Sequence, residues 1–216
     1  QARVLRMDAD TTSRKEAHQK LLEQFGRHEA DILVGTQMIA KGLDFPQVTL
    51  VGILNADAGT ARPDFRSVEM TFDLIMQAAG RTGKVVIQAF DPNHFAVVAG
   101  SRQDYQSFFY QEMQYRHLGG YPPYTYLIAL TFSDVRPDRP KQSAQVVAQA
   151  LRQSSLFKVL GPSDLFKLQD RYRSRLVLKG KDLDQMKTAL AQVLQEYRRQ
   201  RSQAHLSIDV NPLILE

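Results

Sequence analysis

The sequence predicts an α/β protein: a parallel sheet with helices on both faces, followed by a smaller α+β domain of split βαβ order. Three observations lead there. Short apolar runs alternate with amphipathic stretches over the first ninety residues, Gly119-Gly120-Tyr121-Pro122-Pro123 interrupts that pattern, and a β-α-β-β-α-β succession fills the remainder.

Val4-Leu5-Arg6-Met7 reads as a strand, and Thr11-Thr12-Ser13 offers caps for a helix whose Ala17, Leu21, Leu22 and Phe25 recur at helical spacing. Residues 31–35 and 48–54 are short, continuous and rich in branched side chains, which predicts buried strands. Ser67 to Arg81 reads as a helix with Met70, Phe72, Leu74 and Ile75 for its core face, and residues 85–90 as the next strand. Ligands of such sheets gather beyond the strand carboxyl ends, where Thr36 and Asp57 fall. A long helix is expected over 93–118, interrupted near Gly100. Beyond the Pro-Pro break come a strand at 124–132, a helix at 141–153, strands at 158–168 and 173–179, a helix at 183–199 and a strand at 206–210. The expected domains are 1–98, a helical linker over 99–120, and 121–216.

Composition narrows the function. With 216 residues, 43% of them apolar and 24% charged, the chain suits two modest cores. It has no cysteine, which excludes a disulfide framework and a thiolate metal site, and its five His, at 18, 28, 94, 117 and 205, show no ligand spacing. No apolar run approaches the roughly 20 residues that span a bilayer, and the amino terminus carries no signal pattern. A soluble, cytoplasmic protein without a membrane partner is expected. Charge is uneven: residues 1–120 hold 13 Lys and Arg against 14 Asp and Glu, a net of −1, whereas 121–216 hold 15 against 9, a net of +6. A basic carboxyl-terminal half is the electrostatic footprint of polyanion binding, although a solvated basic helix gives the same count.

Two segments carry the chemistry. Gln77-Ala78-Ala79-Gly80-Arg81 places Gln77 and Arg81 four residues apart on one helix face, with Gly80 permitting close approach of another surface. Two such groups aimed at one γ-phosphate, the Arg neutralising charge that builds during phosphoryl transfer, are the sensing half of a nucleic-acid motor. Taken alone, Arg81 also fits a helix end where the dipole favours any cation. Upstream, residues 36–48 follow a strand and contain Gly42-Leu43-Asp44. That turn presents backbone amides and a carboxylate, so Thr36 and the amides can hold a nucleic-acid phosphate while Asp44 reaches the nucleotide ribose or a second lobe. Lys41 reads as a solvated charge.

With these segments in place, the chain resembles the carboxyl-terminal part of a superfamily-two helicase, and more narrowly of the PriA family of bacterial primosomal helicases. The resemblance rests on residues 3–12, 35–48 and 77–81, Leu54-Asn55-Ala56-Asp57, Pro63-Asp64-Phe65-Arg66 and Arg116 with Gly120-Tyr121-Pro122-Pro123-Tyr124. Leu160-Gly161-Pro162, Asp170-Arg171-Tyr172-Arg173 and Ile208-Asp209-Val210 complete it. It implies a RecA-like second helicase lobe followed by a ferredoxin-like domain, in an ATP-dependent 3′-to-5′ DNA helicase that restarts replication at stalled forks. It further implies ATP with Mg shared with a first lobe outside this sequence, and zinc held only in a segment outside it. Implied partners are branched or single-stranded DNA, the acidic tail of the single-strand-binding protein, and primosome proteins. The implied roles are ATP contact for Gln77 and Arg81, with Gly80 beside them, coupling of ATP to DNA for Gly42 and Asp44, and DNA contact for Thr36 and Gln37. Arg171, Tyr172, Arg173 and Arg175 would bind the acidic tail or DNA, Arg by bidentate pairing and Tyr by stacking. Alternating polar residues on a solvated strand are the competing reading of that run.

The sequence departs from the family where a second Arg normally follows, as Gly-Arg-Ala-Gly-Arg. Here Arg81-Thr82-Gly83-Lys84 runs straight into Val85, so either Lys84 replaces that Arg or a loop is absent from this sequence. No Gly-x-x-x-x-Gly-Lys phosphate loop occurs in the 216 residues, so the chain alone is expected to be inactive. The rival to a motor fragment is a non-catalytic module that docks DNA or the single-strand-binding protein; an RNA helicase lobe would not account for the carboxyl-terminal domain.

Overall fold

The computed structural model describes residues 2–7, 15–36, 46–60, 64–79, 84–199 and 203–215. The chain divides into two compact units, 1–62 with 67–109 and 63–66 with 110–216.

In the first unit, β1 (Val4–Met7), α1 (Lys15–Gly26) and β2 (Ile32–Gly35) form one parallel pair with its crossover helix. A second parallel pair, β3 (Val51–Ile53) and β4 (Val85–Ile87), is joined through α2 (Ser67–Ala79) and followed by α3 (Phe95–Ser101). Parallel neighbours with helical crossovers are what branched apolar runs separated by amphipathic segments produce. Ile53, Ala56, Ile75, Ala78 and Val97 form one core cluster of this unit. A second gathers Phe72, Ala96, Ala99 and Phe108, with the rings of Phe72 and Phe108 stacked 4.0 Å apart. Gly100 lets α3 lie on α2, since a Cβ there would sit 2.8 Å from Ile75 Cγ2.

The described residues differ from the sequence expectation at several points. The strands are arranged as two separate pairs. β2 is not a buried strand: Ile32 is 45% and Val34 50% exposed, and among the described residues it pairs with β1 alone. β4 stops at Ile87, since the chain turns there and commits the amides of Phe90 and Asp91 to the Asp57 carboxylate. The interruption expected near Gly100 is present: the helix divides into α3 and α4 (Tyr105–Gly119) around Gln103, which has a φ of 55°. The first turn of α4 completes the aromatic cluster of the first unit, and the rest of this helix groups with the second unit.

The second unit has the order β5 (Tyr126–Asp134), α5 (Arg139–Leu151), β6 (Phe157–Leu168), β7 (Arg171–Gly180), α6 (Leu183–Arg199), β8 (His205–Val210). Its sheet runs β6-β7-β5-β8 with every neighbour antiparallel. α5 opens with Pro140, where the missing amide would be unpaired anyway, and α6 opens on Asp182, whose carboxylate accepts from the amides of Asp184 and Gln185. Ile128, Leu130 and Phe132 of β5 and Leu176 and Leu178 of β7 bury against Val147 and Leu151 of α5 and Met186, Leu190 and Leu194 of α6. Both helices therefore cover one sheet face, and the odd-numbered residues of β5 and β7 occupy the other. β6 shifts register between Leu160 and Ser163 at Gly161, whose φ is +93° and where a Cβ would stand 2.6 Å from the Arg175 carbonyl oxygen.

Phe132 is fully buried, so Phe132→Ala should cost about 3–5 kcal/mol. Ser207→Ala, on exposed β8, should stay within about 0.5 kcal/mol. Denaturant unfolding of the two variants checks both.

Candidate functional site

In the first unit the described candidates lie at element ends. Thr36 follows β2 and is exposed, Gln77 lies half-buried in the last turn of α2, and Asp57 lies just beyond β3. Gln37, Lys41, Gly42, Asp44, Gly80, Arg81, Thr82 and Gly83 lie outside the described residues, as do the Thr11-Thr12-Ser13 caps. Lys84 is described and exposed; its carbonyl oxygen accepts from the Val51 amide.

Asp57 is committed to the fold. Its carboxylate accepts the Asp91 amide at 2.7 Å and the Phe90 amide at 3.0 Å, clamping the chain after β4 to the end of β3. Those two bonds, Asp91 first, hold its carboxyl below the ordinary value of 3.8. Gln88 reinforces the clamp by accepting the Asn55 amide through Oε1 at 2.9 Å.

In the second unit, β7 sorts the predicted run by strand alternation. Arg171, Arg173 and Arg175 share the open face, about 7 Å apart in succession, while Tyr172 is in phase with core-facing Ser174 and Leu176. The four residues thus do not form one surface. The Tyr172 ring lies under Lys167 Nζ at 4.0 Å. Each Arg is anchored by part of its fork: Arg171 Nη2 to the Ser133 carbonyl oxygen at 3.2 Å, Arg173 Nε to the Phe166 carbonyl oxygen at 2.9 Å, Arg175 Nε to Thr131 Oγ1 at 3.0 Å. Arg175 Nη1 is buried with no hydrogen-bond partner among the described residues. Burial, then the neighbouring Arg173, weakens proton binding by the Arg175 guanidinium, while Asp209 opposes the shift.

Sequence reasoning assigned no role to a cation–aromatic stack in this unit. Lys179 Nζ stands 3.2 Å over the Tyr121 ring and donates to the Gly119 carbonyl oxygen at 3.1 Å. Tyr121 stacks on Phe65 at 5.3 Å and 12°, and the Arg116 guanidinium lies 5.3 Å from the Phe65 ring centre. Arg116 Nε reaches Glu112 at 2.7 Å, a pair almost wholly enclosed. Asp64 ties the same segment down by accepting the Leu215 amide at 3.0 Å. The signal was present in Phe65, Arg116 and Tyr121, all within segments that carried the family resemblance, but nothing local announces that they meet.

Among the described residues no group of three or more His, Cys, Asp or Glu could hold a metal ion, and no helix is long and apolar enough to cross a membrane.

Comparison with known proteins places these features. Residues 1–86 match the helicase conserved C-terminal domain and residues 117–213 the primosomal protein N C-terminal domain, so the chain joins a helicase-class domain to a primosomal one. Replication restart protein PriA of Bacillus subtilis is 45% identical over 226 residues, covering 99% of this chain and 28% of that protein. The proteins of the same name from Chlamydia pneumoniae (40% identical, 83% of this chain, 25% of that protein) and Synechocystis (37%, 99% and 27%) are similar too. The chain belongs to the PriA family. It spans little more than a quarter of the length of these relatives.

The Asp57 clamp carries a pH signature. Because its folded pKa lies below 3.8, its stabilisation is complete well above that value and is lost as pH falls through the folded one. Asp57→Asn should lower the thermal midpoint at pH 7 and flatten its decline between about pH 5 and pH 2, measured by thermal unfolding across that range.

Proposed function

We propose that this chain is the carboxyl-terminal part of an ATP-dependent 3′-to-5′ DNA helicase that recognises stalled or abandoned forks and restarts replication through primosome assembly. In this reading 1–98 is a RecA-like second lobe, 99–120 a helical linker and 121–216 a ferredoxin-like domain. The observation that carries it is the order of the two matched domains, helicase first and primosomal second, with Gln77 closing α2 just ahead of Gly80-Arg81. Parallel pairs with helical crossovers support the lobe, and the β6-β7-β5-β8 order with both helices on one face supports the second domain.

Among the described residues, the Gln77 carboxamide in the last turn of α2 and the Thr36 hydroxyl just past β2 are groups that would face ATP with Mg held mainly by a first lobe. Gln77 and Arg81 would meet the nucleotide's terminal phosphate, with Gly42, Asp44 and Gly80 around it, and Thr36 and Gln37 would hold DNA. Bound ATP supplies the phosphoanhydride whose hydrolysis drives movement. The chain's part is to orient the phosphate and neutralise its charge. Zinc finds no fitting donor set among the described residues, and no step here involves it.

A docking role for the second unit is a companion reading, favoured by the three guanidiniums on one sheet face and the unpartnered Arg175 Nη1. An oxygen of a phosphate or carboxylate against this face would meet donors already fixed in place. The partner would be DNA or the acidic tail of the single-strand-binding protein.

Arg81→Ala in the full-length protein tests the motor assignment. DNA-stimulated ATP hydrolysis should fall by about 10³-fold while DNA binding persists. Undiminished hydrolysis would remove the finger role and leave the docking reading.

A further inference from the structure

We propose that a cavity at the Gly180 end of β7 is a phosphate subsite for a nucleic-acid backbone, held by Lys158, Lys179 and Lys181. The proposal rests on the reading that this chain binds DNA, and it names a place and a set of donors.

The cavity, about 480 Å³, opens between the end of α4, the residues leading into β6 and the end of β7. Its lining includes the three lysines and His117, and no Asp or Glu. Lys158 and Lys179 are directly opposed in the β6–β7 register, an arrangement that like charges disfavour. An ordinary surface lysine escapes such a neighbour by swinging into water. Lys179 is held instead, its amine seated on the Tyr121 ring and bonded to the Gly119 carbonyl oxygen. Burial, then Lys158, lowers its pKa to about 8. The compensation shown is the Tyr121 ring and the partial negative charge at the end of α4, with no carboxylate in the lining, so the site carries an excess of positive charge that an anion would relieve.

The donor set decides between anions. Lysines are compact point charges with rotatable donors, suited to phosphate oxygens, and lack the planar fork that pairs with a carboxylate on two bonds. Tyr121 is stacked on Phe65 and capped by Lys179, so it offers no ring for a peptide's aromatic anchor. Lys179 lies on the same strand face as Arg171, Arg173 and Arg175, beyond Val177 and about 27 Å from Arg171. A repeating polyanion laid along β7 would pass from the guanidiniums into the cavity. An acidic peptide of a few residues would not need both ends.

The test is binding of a fluorescein-labelled oligothymidylate to the full chain over a series of salt concentrations, for wild type, Lys158→Ala/Lys181→Ala and Arg171→Ala/Arg173→Ala. Lys158 and Lys181 are exposed, so their removal should leave the thermal midpoint in place, and Lys179 is kept because it closes α4. The lysine variant should bind about tenfold more weakly at low salt, with a slope of log K against log salt flatter by about 1.4 for two lost phosphate contacts. In wild type, the Lys179 titration midpoint, followed by NMR, should rise when the oligonucleotide is added. Unchanged affinity and slope in the lysine variant, with weakening in the arginine variant, would overturn the subsite and leave DNA binding standing. Failure of the wild-type chain to bind the oligonucleotide would overturn both. If the lysine variant instead lost a labelled acidic peptide and kept the oligonucleotide, the cavity would be a carboxylate site and the proposal would be wrong.

Discussion

The pairing of β5 with β7 sets the chemistry of the second unit. Nine consecutive pairs, from Tyr126 with Gly180 to Asp134 with Tyr172, fix which residues of each strand face the helices. With this register Leu130 opposes Leu176 and Ile128 opposes Leu178 in the core, while Thr131 opposes Arg175 and Ser133 opposes Arg173 on the other face. A one-residue slip would turn the guanidiniums of β7 into the core and its leucines out, which burial of unpaired charge forbids. The core thus holds an array of cations that, left to themselves, would spread apart.

Among the described residues that array has no matching set of carboxylates hydrogen-bonded to it. Asp209 of β8 opposes Ala129 and offsets only part of the shift at Arg175, and Ser133 and Thr131 supply neutral oxygens. Neutral oxygens anchor one edge of each guanidinium, and at Arg175 the Nη1 end is itself buried. The same economy appears at Lys179, which rests on a carbonyl oxygen and a ring rather than a carboxylate. Glu112 and Arg116 show the opposite treatment in the same unit: a charge pair enclosed in the interior is matched one to one. The first unit likewise uses Asp57 on backbone amides to fix where a strand ends.

Much of this architecture was legible in local pattern. β1 and α6 fall on the expected residues, because a clean apolar run and a strong 3.6-residue period leave no competing choice. β4 is shorter than its apolar content implies, since the Asp57 carboxylate takes the amides of Phe90 and Asp91, a contact 33 residues apart that no window detects. The separation of Tyr172 from its arginine neighbours was available from alternation alone once the strand was accepted. The stack of Lys179, Tyr121, Phe65 and Arg116 was not, because its members come from three distant stretches and each alone looks like an ordinary loop, helix or strand residue. The bulge at Gly161 was equally hidden: its cause is the Arg175 carbonyl oxygen on the neighbouring strand. The residues expected to meet nucleotide, Arg81 and its neighbours, lie outside the described residues, so that part of the proposal rests on the motif and the family membership.

The claim on which the rest turns is that the second unit meets its ligand through the open sheet face. Amide and side-chain NMR of the chain, titrated with a short single-stranded oligonucleotide, addresses it residue by residue. Perturbations should concentrate on the odd-numbered positions of β7, from Arg171 to Lys179, and on Thr131 and Ser133 beside them. Perturbations concentrated instead on the exposed flanks of α5 and α6, with β7 silent, would contradict it.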